Sequence, residues 1–195
     1  RDYLHVCDNN REAKFILNSG AVLIDQRVVR KPKNPVGLMD VISLPGMKKH
    51  YRTMIDDHGR LQFVEIKATE SLWKLLRIEN KIIVKGGKVQ LNLHDGTNIL
   101  SDKKVNTGDV LQISLPDMKI KKIIEFKEGA QSFIIGGAHV GSLSEIKGIE
   151  ITRSPKPNLV MYDGFQTIKP YSFVVGDKKS LITLPEVKLW IQWEN

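Results

Sequence analysis

The chain has 195 residues, of which 41% are apolar and 27% charged, and it carries a net charge of +8. This is ordinary composition for a folded chain with an ample core. A single cysteine, Cys7, excludes a disulfide framework and a multi-thiolate zinc site within one chain. Excess cations without a basic amphipathic helix or a membrane-length apolar run favour a polyanionic partner, nucleic acid before membrane. The excess lies at the front: residues 1–52 hold ten Lys/Arg against five Asp/Glu, residues 53–122 twelve against nine, and residues 123–195 eight against eight. A cationic binding surface is therefore expected early in the chain, and packing or protein contact late in it.

Arg1 to Val6 reads as the last turns of a helix. Because the sequence opens without methionine inside that pattern, it is expected to be a fragment whose beginning is missing. Asn9 can cap a second helix, with Glu12 placed to return the hydrogen bond and Gly20 to end it. Ala13, Ile16 and Leu17 share its apolar face, and Arg11, Lys14 and Asn18 share another. Cys7 and His5, two apart on a helix, would point away from each other, so Cys7 reads as structural. A strand over Ala21 to Ile24, a turn at Asp25-Gln26 and a return strand over Arg27 to Val29 lead into Arg30, Lys31, Pro32 and Lys33. Arg11, Lys14, Arg27, Arg30, Lys31 and Lys33 are predicted to converge on one cationic surface suited to nucleic acid. The run Met47 to Arg52 adds Lys48, Lys49, His50 and Arg52 as candidates.

Ser43-Leu44-Pro45, Ser114-Leu115-Pro116 and Thr183-Leu184-Pro185 recur at near-equal spacing, and proline at each predicts a strand end, hence three successive β-rich modules. Between the first two lie a strand over Leu61 to Ala68 and a short helix with a core stripe of Leu72, Leu75 and Leu76. A meander follows, with turns at Gly86-Gly87 and Asp95-Gly96. On its strand Val89, Leu91 and Leu93 alternate with Lys88, Gln90, Asn92 and His94, a carboxylate-free row suited to an anionic, hydrogen-bonding partner such as nucleic acid. His94 has a second possible use, holding the Asp95 turn. Further strands are predicted over Ser132 to Ile135, Leu159 to Tyr162, Phe165 to Ile168, Tyr171 to Val175 and Lys188 to Trp193. Glycines 136, 137, 141 and 148 suggest a small bent barrel. The apolar tail Leu189, Trp190, Ile191 and Trp193 is expected to be buried within the chain.

No catalytic constellation is found: the five histidines form no metal-ligand spacing, and no nucleophile motif or P-loop is present. Neither a cofactor nor a metal is predicted. One near miss is Gly59-Arg60-Leu61, where RNA pseudouridine synthases with a like front module continue with a nucleophilic Asp and this chain has Gln62.

Arg11-Glu12-Ala13, Ser19 to Asp25 and Val36 to Ile42 resemble the RNA-binding domain shared by small-subunit ribosomal protein four and many RNA-modifying enzymes. Asn80-Lys81, the stretch Lys85 to Gly96, and Phe165-Gln166-Thr167-Ile168 leading to Tyr171, Phe173 and Gly176 extend the resemblance over essentially the whole chain to the archaeal and eukaryotic "e" type of that protein family. The resemblance implies an α+β, mostly β fold with three parts. These are a small α/β RNA-binding domain over 1–46, a central β domain over 47–122, and a C-terminal domain over 123–195 with a KOW-type small β-barrel at about 127–150. It implies a non-catalytic structural role in the cytoplasmic small subunit, with ribosomal RNA and neighbouring ribosomal proteins as partners, no membrane, and a monomer outside the ribosome. The family has arginine where Thr97 stands, glycine where Gln26 and Ser144 stand, and a more basic loop around Ala138, Ser142 and Glu145. Two other readings are an RNA-modifying enzyme and a KOW-containing assembly or transcription factor.

Overall fold

The structure is a computed structural model that describes residues 3–184. Its one α-helix among the described residues, α1 (Asn10–Asn18), begins as the sequence predicts: the Asn9 side chain accepts from the Glu12 N–H at 2.9 Å. Glu12 in turn accepts from the Asn9 side-chain amide at 2.6 Å and the Asp8 N–H at 3.0 Å. Residues 3–9 are not helical, contrary to the expectation for Arg1 to Val6. His5 turns with a positive φ of 49°, and Asp8 is tied into the cap of α1 instead.

Strands β1 (Leu23–Ile24), β2 (Arg27–Val28), β3 (Val41–Leu44), β4 (Lys49–Ile55) and β5 (Leu61–Ile66) form one antiparallel sheet in the order β2-β1-β3-β4-β5. The expected division at residue 46 falls between two strands paired within this sheet. Strands β6 (Trp73–Ile83), β7 (Val89–Leu93), β8 (Asn98–Leu100), β9 (Val110–Ser114) and β10 (Ile120–Ile124) follow in the order β10-β9-β6-β7-β8. Strands β11 (Gln131–Ile134), β12 (Leu143–Glu145), β13 (Gly148–Glu150), β14 (Leu159–Met161), β15 (Gln166–Ile168) and β16 (Ser172–Gly176) make two three-stranded sheets, β12-β11-β16 and β13-β14-β15.

The helix predicted over Leu72, Leu75 and Leu76 is instead a 3-10 turn, Glu70–Leu72, running into β6. Leu75 and Leu76 are neighbours on a strand and point to opposite faces, yet both are wholly buried, Leu75 in the main core and Leu76 in the core of the second sheet. A strand covered on both sides loses its period of two and imitates a helical stripe. The first two Leu-Pro marks do close strands, β3 and β9. The third does not, because β16 ends earlier, at Gly176. The strand over Lys188 to Trp193 and the apolar tail lie outside the described residues.

The main core gathers Met39 and Met54 from the first sheet region, Leu75, Val110 and Ile124 from the second, and Phe133, Val160 and Phe173 from the last two. It is shared by all four sheets, and the functional surfaces are arranged around it.

Candidate nucleic-acid interface

The β1–β2 hairpin turns at Asp25-Gln26, both with positive φ (50° and 64°). This brings Arg27, Arg30 and Lys31 onto the rim of a cleft of about 620 Å³. Arg11, Lys14, Lys33, Lys48 and Lys49 are also exposed but lie outside the lining of this cleft. No ion pair between described residues engages any of these eight cations. Their charge is directed at solvent, as a phosphate-binding surface requires.

The floor of the cleft is built from opposite signs. Lys74 on β6 is 2% exposed, and its ammonium donates to Asp25 at 2.6 Å, Asp95 at 2.9 Å and Asp40 at 3.0 Å. The carboxylates are themselves held: Asp25 accepts from the Val41 N–H, Asp40 from the Gly37 N–H, and Asp95 from the Thr97 N–H and hydroxyl. Burial alone would depress the Lys74 pKa, but the charges of Asp25 and Asp40 and the bonds to Asp25 and Asp95 outweigh it, so the pKa is raised. Asp25 is raised by burial, whereas in Asp95 the bonds from Lys74 and Thr97 overcome burial and lower it. The node joins the front hairpin, the loop before β3 and the β7–β8 turn.

Three sequence candidates are placed inside the fold. Arg52 is fully buried, and its guanidinium donates to the Trp73 carbonyl at 2.9 Å, the Glu70 carbonyl at 3.1 Å and the Glu70 carboxylate at 3.4 Å. It lies over the Trp73 ring at 4.7 Å, and burial pulls its pKa down to about 10. Arg52 is therefore a brace and cannot reach a phosphate. His50 is half-buried, its Nδ1 2.9 Å from the Ser43 hydroxyl. His94 has Nδ1 facing the Arg77 N–H at 3.2 Å and Nε2 facing the Leu38 carbonyl at 3.2 Å, with its ring edge-on to Phe173. Both ring nitrogens are engaged within the fold, and neither bonds the Asp95 turn; they bridge β6 and the segment before β3. Arg77, unremarked in the sequence, donates to the carbonyls of Pro170 and Ser172 and to Glu79, tying β6 to the C-terminal sheets.

Lys88, Gln90 and Asn92 do line the outer face of β7: Lys88 is exposed, Gln90 and Asn92 half-buried. The Gln90 amide donates to the Asn92 side-chain carbonyl at 3.0 Å. The register adds neighbours that one strand's sequence cannot show, with Asn80 and Asn98 flanking Asn92, and Ile82 and Leu100 flanking Gln90. Among the described residues no cluster of His, Cys, Asp or Glu is placed to hold a metal ion, and no helix is long and apolar enough to cross a membrane.

Internal cations are thus neutralised at fixed partners, and external ones are left to solvent on a β-rich frame. The family model described as "Ribosomal family S4e" matches residues 47–120. The "Small ribosomal subunit protein eS4" of Methanothermobacter thermautotrophicus is 44% identical over 190 residues, 95% of this chain and 78% of that one. Its counterpart in Archaeoglobus fulgidus is 42% identical over 184 residues, 92% of this chain and 77% of that one. The crystal structure of the 30S ribosomal protein S4e from Thermoplasma acidophilum superimposes with a TM-score of 0.82 at 38% identity, covering 93% of this chain and 94% of that one. The chain belongs to the S4e family of ribosomal proteins.

Proposed function

We propose that the solvent-facing cations of the front sheet and the outer face of β7 are the RNA-binding surfaces of this chain. The chain is a structural constituent of the small ribosomal subunit, located in the cytoplasm, and it supports translation. Its partners are small-subunit ribosomal RNA and neighbouring ribosomal proteins, and outside the ribosome it is a monomer. The observation that carries this reading is the sorting of charge. Arg11, Lys14, Arg27, Arg30, Lys31, Lys33, Lys48 and Lys49 are exposed, while Arg52, Lys74 and Arg77 are consumed inside.

The division into an RNA-binding domain over 1–46, a central domain over 47–122 and a C-terminal domain with a KOW-type barrel at about 127–150 is the organisation that the family resemblance implies; its boundaries are not those of the sheets, since 46 lies within the first sheet and 122 within β10. The C-terminal part works through packing and protein contact. The family is a structural one, and catalysis is not its role here: Gln62, an amide on β5 paired with Met54, cannot act as the nucleophile that an RNA-modifying enzyme would need.

The test is salt-dependent binding to small-subunit ribosomal RNA by the chain with Arg27, Arg30, Lys31 and Lys33 changed to alanine. Each lost phosphate contact removes about 0.7 to 0.9 from the slope of log affinity against log salt. An unchanged slope would show that these cations are only solvated and would overturn the assignment.

A further inference from the structure

The outer face of β6, β7 and β8 forms a small grid. One rung across the three strands is Asn80, Asn92 and Asn98; the next is Ile82, Gln90 and Leu100. Adjacent strands are about 4.8 Å apart, so each rung is about 10 Å wide. Asn80 and Asn98 are exposed, as are Ile82 (42%) and Leu100 (56%), and Lys88 stands at one end. No carboxylate and no aromatic ring belongs to either rung.

The amides are partly pre-set. Asn80 spends its side-chain carbonyl on the Lys81 N–H at 2.7 Å, and Asn92 spends its own on Gln90 at 3.0 Å. The NH₂ groups of Asn80 and Asn92, and the carbonyl of Gln90, remain for a ligand.

From this grid, and resting on the reading of β7 as an RNA contact, we infer that the β6–β7–β8 face docks in the minor groove of a double-stranded segment of RNA. Single-stranded RNA is held largely by stacking bases on aromatic rings, and this face has none. The A-form major groove is too deep and narrow for side chains standing on a sheet. The minor groove is wide and shallow and displays 2′-hydroxyls that both donate and accept. A rung of three asparagines can hydrogen-bond a row of these hydroxyls, while Ile82 and Leu100 lie against ribose carbons and Lys88 meets the flanking phosphates. Such a face distinguishes RNA from DNA by the hydroxyl and not by sequence.

The test compares binding of the whole chain to an RNA duplex of about 16 base pairs, the length a minor-groove RNA binder spans, and to a DNA duplex of the same sequence. The chain should prefer the RNA by about tenfold or more, the scale of one or two net hydrogen bonds. Asn80→Ser, Asn92→Ser and Asn98→Ser together should bring the two affinities to near equality without changing the salt slope. Should the triple variant melt early, Asn98→Ser alone, on an exposed edge strand, should still narrow the ratio. The front-cluster alanine variant should weaken both duplexes and keep the ratio. Equal wild-type affinity for both duplexes, or a ratio that survives the asparagine changes, overturns the minor-groove docking. Continued binding to small-subunit ribosomal RNA in that case would leave the general RNA-binding reading standing and point to a protein neighbour on this face, whereas loss of that binding too would remove both.

Discussion

At Lys74 the balance between burial and charge decides the stability of the front half of the molecule. Replacing it with methionine keeps much of the volume but leaves Asp25, Asp40 and Asp95 facing one another without their cation. Breaking a buried charge pair from one side costs about 3 to 5 kcal/mol, and a urea titration of Lys74→Met should show a loss on that scale. Adding Asp25→Asn should recover part of it, since one uncompensated charge is removed. His94 supplies a pH-dependent term. Burial depresses its pKa, reinforced by Arg77 and Lys74 and opposed by the Leu38 carbonyl and Asp95. As the pH falls through about 6.5, the unfolded chain takes up a proton that the folded imidazole refuses. Stability present above that pH is therefore lost until the depressed folded value is passed. The stability difference between wild type and His94→Gln should shrink from about pH 7.5 to about pH 5.5 in denaturant titrations. A difference constant with pH would mean that His94 contributes only packing.

At the scale of elements, close approach separates two glycines that look alike in the sequence. A Cβ on Gly141 (φ 81°) would meet the backbone of Asp56 and Asp57 at 2.8 Å, where the loop before β12 presses on the β4–β5 turn. A Cβ on Gly164 (φ 79°) would meet nothing within 4 Å. Gly164→Ala should cost only the left-handed backbone term, about 1 to 2 kcal/mol. Gly141→Ala should cost an additional ~1 to 3 kcal/mol for overpacking and should speed hydrogen exchange around residues 56–60. Equal costs would mean that the contact yields without resistance. The same contrast governs what the sequence could disclose. Strand β7 was legible because one face is buried and the other open, which preserves the alternation of Val89, Leu91 and Leu93 with polar residues. Strand β6 was not, because Leu75 and Leu76 are covered from opposite sides. Asn9, Glu12 and Gly20 announced α1 through local bonds, which sequence spacing reports directly. Arg52, Lys74 and Arg77 were hidden because their partners are distant: the three aspartates lie 49, 34 and 21 residues from Lys74. Composition counts such cations as surface charge, and only the tertiary pairing removes them from it.

For the whole molecule, the order of sheets along the chain suggests separable parts, but the core and the buried cations oppose separation. Phe173 on β16 is fully buried in the core that also contains Met39, Met54 and Leu75, and its ring is 5.2 Å from His94 and 5.7 Å from the Arg77 guanidinium. Arg77 reaches the C-terminal sheets, Lys74 reaches the front hairpin, and Glu70, which accepts from Arg52, also accepts from Thr183. A unit held in this way should unfold in one transition. Truncating Phe173 to alanine removes a large core side chain and should cost about 3 to 5 kcal/mol. The discriminating measurement is where that loss appears. If the sheets form one cooperative unit, hydrogen exchange in β4, β9 and β11 should accelerate by the same factor, because each opens only when the whole opens. If the C-terminal sheets are an independent domain, β11 alone should respond, while β4 and β9 keep their wild-type protection. The first outcome would mean that the RNA-facing cations of the front sheet and the amide grid on β6–β8 are held at fixed separation, so that both can engage one folded RNA without a further loss of interdomain freedom.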